Sequence, residues 1–242
     1  MINQNINYDT LEISRYFKEN RINWDQFYDS EKHVLEYISP KNDTEVLDIG
    51  CGCGGLGLAL NQRFGIWNYT GIEINNQAAK EASRLYPNSK IINGDFLKLL
   101  NPTQHKFSLV TSLSCIDWNI EFKSMLDKAW LHVSGGGTLI ISLRLTKEKG
   151  INDISKSFQF INYSGKKEGT IAPYIVLNHD ELINKISSFN HLNSLYGFGY
   201  KGKPSPTAVT PYHEIFFGVY ALTKNTKKFA KNKPTINLNY DL

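Results

Sequence analysis

The sequence predicts an α/β fold in which a mostly parallel β-sheet is covered by helices on both faces. Apolar runs of strand length alternate with amphipathic patterns of helix length from residue 46 to residue 224. The first of these runs is followed by five glycines within eight residues. Such alternation is typical of βαβ units. The 242 residues suit one domain of this kind with additions.

The first forty residues predict two helices. Aromatic and aliphatic side chains recur at helical spacing between Leu11 and Ile38, and Pro40 ends the run. We expect residues 1–40 to form a helical extension outside the main domain.

A strand, a glycine-rich turn and a helix follow. Val46–Ile49 predicts a buried strand, and Leu56, Leu60 and Phe64 form the apolar stripe of the helix. The turn between them contains Gly50, Gly52, Gly54, Gly55 and Gly57. Because these residues lack side chains, a ligand can lie against the backbone and the helix N-terminus. The turn therefore predicts a nucleotide-cofactor site.

Four more strands continue the pattern. They span residues 67–74, 89–95, 107–115 and 138–145. The helix after the second strand has an alanine-rich stripe and ends at Pro87. The helix after the fourth strand carries Met125 and Trp130, and we expect Gly135, Gly136 and Gly137 to stop it.

Residues 146–176 show no clear period, and long loops in compact domains tend to be functional or disordered. A helix is expected from Asn178, which has Glu181 three residues later as in a capping box. Two final strands, residues 192–200 and 214–224, enclose a loop at residues 201–213. We find no second core, and assign the main domain to residues 41–224.

The glycines alone leave two cofactors open. Gly50, Gly52 and Gly55 also satisfy the G-x-G-x-x-G fingerprint of dinucleotide-binding folds. Glu73 lies 23 positions after Gly50, about the distance at which an acid meets a ribose. Asp48 before the turn and the Asp95–Phe96 pair after the third strand instead favour a cofactor other than a dinucleotide.

With these three ordered features, Val46–Trp118 resembles the class I S-adenosylmethionine-dependent methyltransferases. The resemblance implies S-adenosylmethionine as cofactor, with Glu73 on the ribose hydroxyls and Asp95 and Phe96 beside the adenine. It also implies a seven-stranded sheet whose last strand is antiparallel, and an N-terminal lid for which Trp24 and Tyr28 are candidates. The predicted cofactor-binding residues are Asp48, Gly50, Gly52, Gly54, Glu73, Ile74, Asp95, Phe96 and Ser112.

Residues beyond the carboxyl ends of the strands are candidates for the methyl acceptor's site. Asp117 and His213 are the predicted general bases, for acceptors that must lose a proton. Arg144, Lys201 and Lys203 could bind a phosphate or carboxylate, and Tyr174, Tyr200 and Tyr212 could line a sugar or an aromatic group. The predicted substrate-binding set is Tyr28, Trp118, Arg144 and Tyr212.

Composition restricts the partners. The net charge of +4 resides in residues 224–242, which contain five lysines and one aspartate. We therefore expect residues 225–242 to form a basic, flexible tail on a neutral body. A neutral body makes nucleic acid an unexpected partner. Three cysteines give no disulfide framework, and no metal is implied. No membrane-length apolar run or secretory signal is present, so we expect a cytoplasmic protein.

The leading hypothesis is methyl transfer to oxygen or nitrogen of a small metabolite, such as a sugar or another biosynthetic intermediate. Related enzymes that methylate nucleobase amines carry an Asn/Asp-Pro-Pro-aromatic sequence after strand four. This chain has no such sequence there. Two alternatives stay open: methylation of RNA or protein, and a non-catalytic module that binds S-adenosylmethionine.

Overall fold

A computed structural model describes residues 11–99, 101, 105–226 and 233–242, with side chains from residue 14 onward. The predicted N-terminal extension is helical within this range. Its helices are α1 (Leu11–Asn20) and α2 (Asp29–Ile38), and a short 3-10 turn, Trp24–Gln26, lies between them. Residues 1–10 of the predicted extension lie outside the described residues.

The remaining helices flank the strands. They are α3 (Gly55–Phe64), α4 (Asn76–Leu85), α5 (Phe96–Leu99), α6 (Phe122–His132) and α7 (His179–Ser187). The strands are β1 (Val46–Ile49), β2 (Tyr69–Glu73), β3 (Lys90–Asn93), β4 (Phe107–Ser112), β5 (Val133–Thr146), β6 (Phe158–Phe160), β7 (Ile171–Pro173), β8 (Leu177–Asn178), β9 (Leu192–Gly202), β10 (Ala208–Val209), β11 (Ile215–Lys224) and β12 (Thr235–Asn239).

The main sheet confirms the predicted fold class. Its order is β3-β2-β1-β4-β5-β11-β9-β12, and the short β8 pairs with β5. Strand β11 is antiparallel to both of its neighbours, whereas the other described pairings in this sheet are parallel. The described sheet thus has nine strands, two more than predicted, because β8 and β12 add to the expected seven.

The central strands are apolar because both of their faces are covered. All four residues of β1 are buried, and one apolar cluster lies on each side of the sheet. The predicted helix start at Asn178 is confirmed, since its side chain accepts a hydrogen bond from the Glu181 backbone N–H at 2.9 Å.

Two local predictions are wrong. Gly135, Gly136 and Gly137 do not end a helix, because α6 stops at His132 and the glycines lie within β5. Part of the predicted flexible tail is also ordered, since Thr235–Asn239 pairs with β9 as an edge strand. Residues 227–232, which hold three of the tail lysines, lie outside the described residues.

Tyr240 fixes this C-terminal strand to the domain. Its hydroxyl lies 2.7 Å from the Tyr220 hydroxyl and 2.9 Å from His179 Nε2, and its ring packs against Phe216. Because Tyr220 is fully buried, the tail is tied directly to the core.

A second, three-stranded sheet lies outside the main one. Its order is β10-β6-β7, and both pairings are antiparallel. It joins the long interval after β5 to the loop between β9 and β11. From the sequence, these two segments were predicted as separate loops. We call this sheet the roof. No helix of the described residues is long and apolar enough to cross a membrane.

The buried His132 makes stability depend on pH. Burial lowers its pKa from 6.5 to about 4, and its Nε2 has no hydrogen-bond partner among the described residues. The unfolded chain therefore gains a proton near pH 6.5 that the folded protein does not, so stability falls as the pH drops below that value.

We expect the His132→Leu variant to lack this fall in stability at low pH. Relative to the variant, the wild type should lose about 2 kcal/mol of unfolding free energy between pH 7.5 and pH 5 in urea titrations. Other groups, such as Asp48, contribute equally to both proteins and cancel. Parallel pH profiles of the two proteins would show that His132 is not the cause.

Candidate functional site

A cavity of about 1110 Å³ opens at the carboxyl ends of the parallel strands. Its walls come from the glycine turn, the ends of β2, β4 and β5, the N-terminal helices and the roof. Sites for a single small ligand usually measure ~300–1,000 Å³. This cavity therefore has room for a cofactor and a small second molecule.

The glycine turn forms the floor of one end, which we call the cofactor half. Gly50 and Gly52 have φ angles of +77° and +55°, which favour glycine. A Cβ at Gly50 would collide with Cys115, and one at Gly52 would lie 3.1 Å from the ring of Phe17. Both positions therefore require glycine, because the backbone conformation and the neighbouring Cys115 and Phe17 leave no room for a side chain.

Glu73 organises this turn. Its Oε2 accepts a hydrogen bond from the Gly52 N–H at 2.8 Å, and its Oε1 accepts one from the Asn75 N–H at 2.8 Å. Burial raises the pKa of this carboxyl, and the two backbone hydrogen bonds oppose the shift. A carboxylate has about four acceptor positions, so capacity for a diol is left.

Asp48 lies beneath the turn. Its carboxylate accepts hydrogen bonds from the Tyr69 hydroxyl at 2.6 Å and the Thr111 hydroxyl at 2.8 Å. Burial raises its pKa to about 6, against the effect of these two hydrogen bonds. Asp48 thus ties β1 to β2 and β4 at the wall of the cavity, which it helps to line.

The other predicted cofactor residues divide into two groups. Ile74, Asp95 and Phe96 line the cavity beside Glu73. Gly54 and Ser112 do not line it: Gly54 caps α3, and the Ser112 hydroxyl donates to the Ile49 carbonyl. Seven of the nine predicted residues therefore come together.

The N-terminal segment covers the turn. Phe17 packs on Gly52, and the Arg21 backbone lies so close to Gly55 that a Cβ would collide with it. The Cys53 thiol donates to the Ser14 carbonyl at 3.2 Å. The resemblance implied an N-terminal lid with Trp24 and Tyr28 as candidates, but no residue pattern pointed to these contacts of Phe17 and Arg21 with the turn.

Asp117 and Arg144 meet at the other end, which we call the acceptor half. Arg144 Nε donates to Asp117 Oδ2 at 2.7 Å, and the Arg144 backbone N–H donates to the same oxygen at 3.0 Å. The guanidinium stacks between the rings of Trp118 (4.4 Å) and Tyr174 (3.9 Å). The predicted base and the predicted anion-binding residue thus bind each other.

Several other candidates lie away from the cavity lining. His213, Tyr212, Lys201 and Trp24 are absent from its walls. The Tyr212 hydroxyl donates to the Lys149 carbonyl, and Trp24 packs on Phe64. The loop after β9 reaches the cavity through residues 202–207 and leaves it before residue 212. Tyr28, Tyr200 and Lys203 do line the cavity.

A second buried ion pair, missed from the sequence, joins the N-terminal helices to the acceptor half. Arg21 Nη2 donates to Glu31 Oε2 at 2.9 Å, and Glu31 is fully buried. The Ser142 hydroxyl donates to Glu31 Oε1 at 3.4 Å and accepts from the Ser114 N–H at 2.6 Å. The pair links α2 to the ends of β4 and β5.

The residues of the cofactor half fit a sulfonium nucleoside. The glycine turn places backbone at a helix N-terminus beside the cavity, where such a molecule can lie. The buried Glu73 carboxylate has acceptor capacity for the ribose, and the Phe96 ring suits the purine. Within the described residues, no group of three or more His, Cys, Asp or Glu side chains could hold a metal ion.

Comparisons with known proteins agree with this geometry. Residues 46–137 match the family described as "Methyltransferase domain". A tRNA (guanine-N(7)-)-methyltransferase of Debaryomyces hansenii is 28% identical over 136 residues, which cover 50% of this chain and 42% of the yeast protein. The chain therefore spans less than half the length of that relative.

Solved structures share the fold. The N-terminal domain of EvdMO1 with SAH bound has a TM-score of 0.58 at 15% identity, covering 81% of each chain. A Haemonchus contortus phosphoethanolamine N-methyltransferase 2, in complex with phosphomonomethylethanolamine and S-adenosylhomocysteine, has a TM-score of 0.60 at 15% identity, covering 90% of this chain and 58% of that one. Residues 46–137 therefore form a methyltransferase domain, and the fold is that of the class I S-adenosylmethionine-dependent methyltransferases.

Proposed function

We propose that the protein transfers the methyl group of S-adenosylmethionine to an oxygen or nitrogen of a small molecule held in the acceptor half. The observation that carries this proposal is one continuous cavity with the glycine turn at one end and a buried, self-paired polar wall at the other. The cofactor supplies a methyl group already activated by a positive sulfur, so close and aligned placement of the acceptor is the protein's main task.

The cavity is bridged on its outer side, which favours a small acceptor. The Tyr163 hydroxyl of the loop after β6 donates to Glu19 of α1 at 2.7 Å, and Arg15 lies 4.8 Å from the Tyr163 ring. This contact joins the roof to the N-terminal helices. We propose that residues 1–40 act as a lid over the methyltransferase domain, residues 41–224.

The Asp117–Arg144 and Glu31–Arg21 ion pairs determine the roles that we propose for these side chains in the acceptor half. Asp117 uses Oδ2 to hold Arg144, so we propose that it positions the wall and does not remove a proton. Glu31 holds Arg21 in the same way. A wall fixed by such contacts excludes water and keeps the acceptor in one orientation.

The tRNA methyltransferase relative makes RNA the second candidate. To separate the two, the protein is incubated with S-adenosylmethionine labelled on its methyl group. One arm contains pooled small metabolites and the other contains total tRNA, and we expect label only in the small-molecule fraction. Label only in tRNA, lost at high salt and when Lys227, Lys228 and Lys231 are replaced by glutamine, would overturn the small-molecule proposal.

Formation of S-adenosylhomocysteine with neither pool, despite tight binding of that product, would instead support a non-catalytic binding module.

We propose that the protein works in the cytoplasm, which is a reducing compartment. The three free cysteines, two of them buried, are consistent with this location.

A further inference from the structure

We propose that the acceptor is an uncharged ring that carries hydroxyl groups, and that the roof recognises it. This inference rests on the proposed function and specifies its substrate class. Three observations carry it: a neutral polar cluster on the roof, aromatic faces at the cavity rim, and charged side chains that already pair with one another.

The polar cluster consists of Gln159, Ser205 and Thr207, all of which line the cavity. Gln159 Nε2 donates to the Ser205 hydroxyl at 2.9 Å and to the Thr207 hydroxyl at 3.0 Å. Both amide hydrogens are therefore used, and the amide oxygen is left to accept a hydrogen bond. A neutral acceptor atom of this kind suits an O–H group.

The register of the roof holds the cluster in place. Gln159 pairs with Ala208, and the Phe160 N–H donates to the Thr207 carbonyl at 3.1 Å. Gln159 therefore lies on a paired strand, and this backbone hydrogen bond holds Thr207 beside it in the turn before β10. Neither of the two loops could form it alone.

The rim supplies flat apolar faces. Tyr200 and Tyr28 are 44% and 50% exposed although both line the cavity. The Tyr200 ring stacks on Phe217, with centroids 5.4 Å apart. A tyrosine held from behind by a second ring offers one face and one hydroxyl to a ligand, which suits a flat ring with polar substituents.

The charges of the acceptor half are already matched. Arg144 binds Asp117, and Arg21 binds Glu31. Asp117 Oδ1 and Arg144 Nη1 have no hydrogen-bond partner among the described residues, but each belongs to a side chain that already holds its counter-ion, and the guanidinium stacks between Trp118 and Tyr174. A charged acceptor group placed against these pairs would therefore meet no free counter-ion, at a large desolvation cost.

Replacing Lys203 distinguishes an anionic acceptor from an uncharged one. It lines the cavity but is exposed, and it belongs to the loop that also carries Ser205 and Thr207. An anionic acceptor would be attracted to Lys203, whereas an uncharged acceptor would not depend on it. The two substrate classes therefore predict opposite results for one substitution.

The experiment measures methyl transfer from labelled S-adenosylmethionine to three defined pools: neutral monosaccharide glycosides, neutral phenols, and sugar phosphates with aromatic carboxylates. We expect turnover in one of the first two pools, which separates a glycosyl from a phenolic ring. For the substrate found, Gln159→Ala and Tyr200→Ala should each raise KM about 5- to 10-fold. Lys203→Ala should change KM less than about twofold.

Tyr37→Ala is the matched control. Tyr37 is also exposed and stacked, on Tyr196 at 3.8 Å, but it lies outside the cavity lining. All four variants should bind S-adenosylhomocysteine as the wild type does. Turnover only in the anionic pool, or a KM that depends on Lys203 and not on Gln159, would overturn the substrate class while leaving the methyltransferase proposal intact. Turnover of tRNA alone would overturn both this substrate class and the proposal of a small-molecule acceptor.

Discussion

Replacing Glu73 by alanine is expected to lower the affinity for S-adenosylhomocysteine by at least about 100-fold. Two hydrogen bonds from a ribose to a charged carboxylate contribute about 1.5–3 kcal/mol each, and 1.4 kcal/mol corresponds to a factor of ten. The substitution also removes the acceptor of the Gly52 and Asn75 backbone N–H groups. Isothermal titration calorimetry measures the affinity directly.

Two further variants separate binding from folding. Glu73→Gln keeps the size of the side chain and one acceptor oxygen, so it should lose less affinity than the alanine variant. Glu36→Ala removes an exposed glutamate of α2 that pairs with Arg63 outside the cavity lining, and it should bind normally. Wild-type affinity in a folded Glu73→Ala protein would exclude Glu73 from the cofactor site.

The second large effect is expected at Arg144. In the Arg144→Ala variant, the Asp117 carboxylate stays buried without its cation, and breaking such a pair costs about 3–5 kcal/mol of unfolding free energy. The stacking of the guanidinium between Trp118 and Tyr174 is lost as well. Urea titration measures the change in unfolding free energy.

A double-mutant cycle isolates the pair. Because an apolar replacement of both partners leaves no unpaired charge, Arg144→Met with Asp117→Leu should be less destabilised than Arg144→Ala alone. Arg63→Ala breaks an exposed pair with Glu36 and should cost about 0–1 kcal/mol. An Arg144→Ala cost no larger than that of Arg63→Ala would show that the buried pair does not stabilise the fold.

Seven of the nine predicted cofactor residues line one cavity because they lie within one continuous stretch of sequence. Gly50, Gly52 and Glu73 follow adjacent parallel strands, so strand order alone brings them together. The acceptor half was predicted only as separate residues. Asp117 follows β4 and Arg144 lies near the end of its neighbour β5, and that signal could have predicted their pairing.

The roof could not be predicted, for a physical reason. Its strands have two or three residues each, too few to show a period, and they come from segments about 50 residues apart. The position of His213 depends on the same short strands. The pairing of Ala208 with Gln159 turns the first half of the loop between β9 and β11 toward the cavity, and His213 in its second half lies outside the cavity lining. Strand β12 was missed because its residues are mostly exposed and polar.

A crystal structure with S-adenosylhomocysteine is the most direct test of the account. We predict the nucleoside along Gly50 and Gly52, with its ribose hydroxyls on the Glu73 carboxylate and its purine beside Asp95 and Phe96. Density for the nucleoside elsewhere, or a ribose without contact to Glu73, would contradict the assignment of the cofactor half.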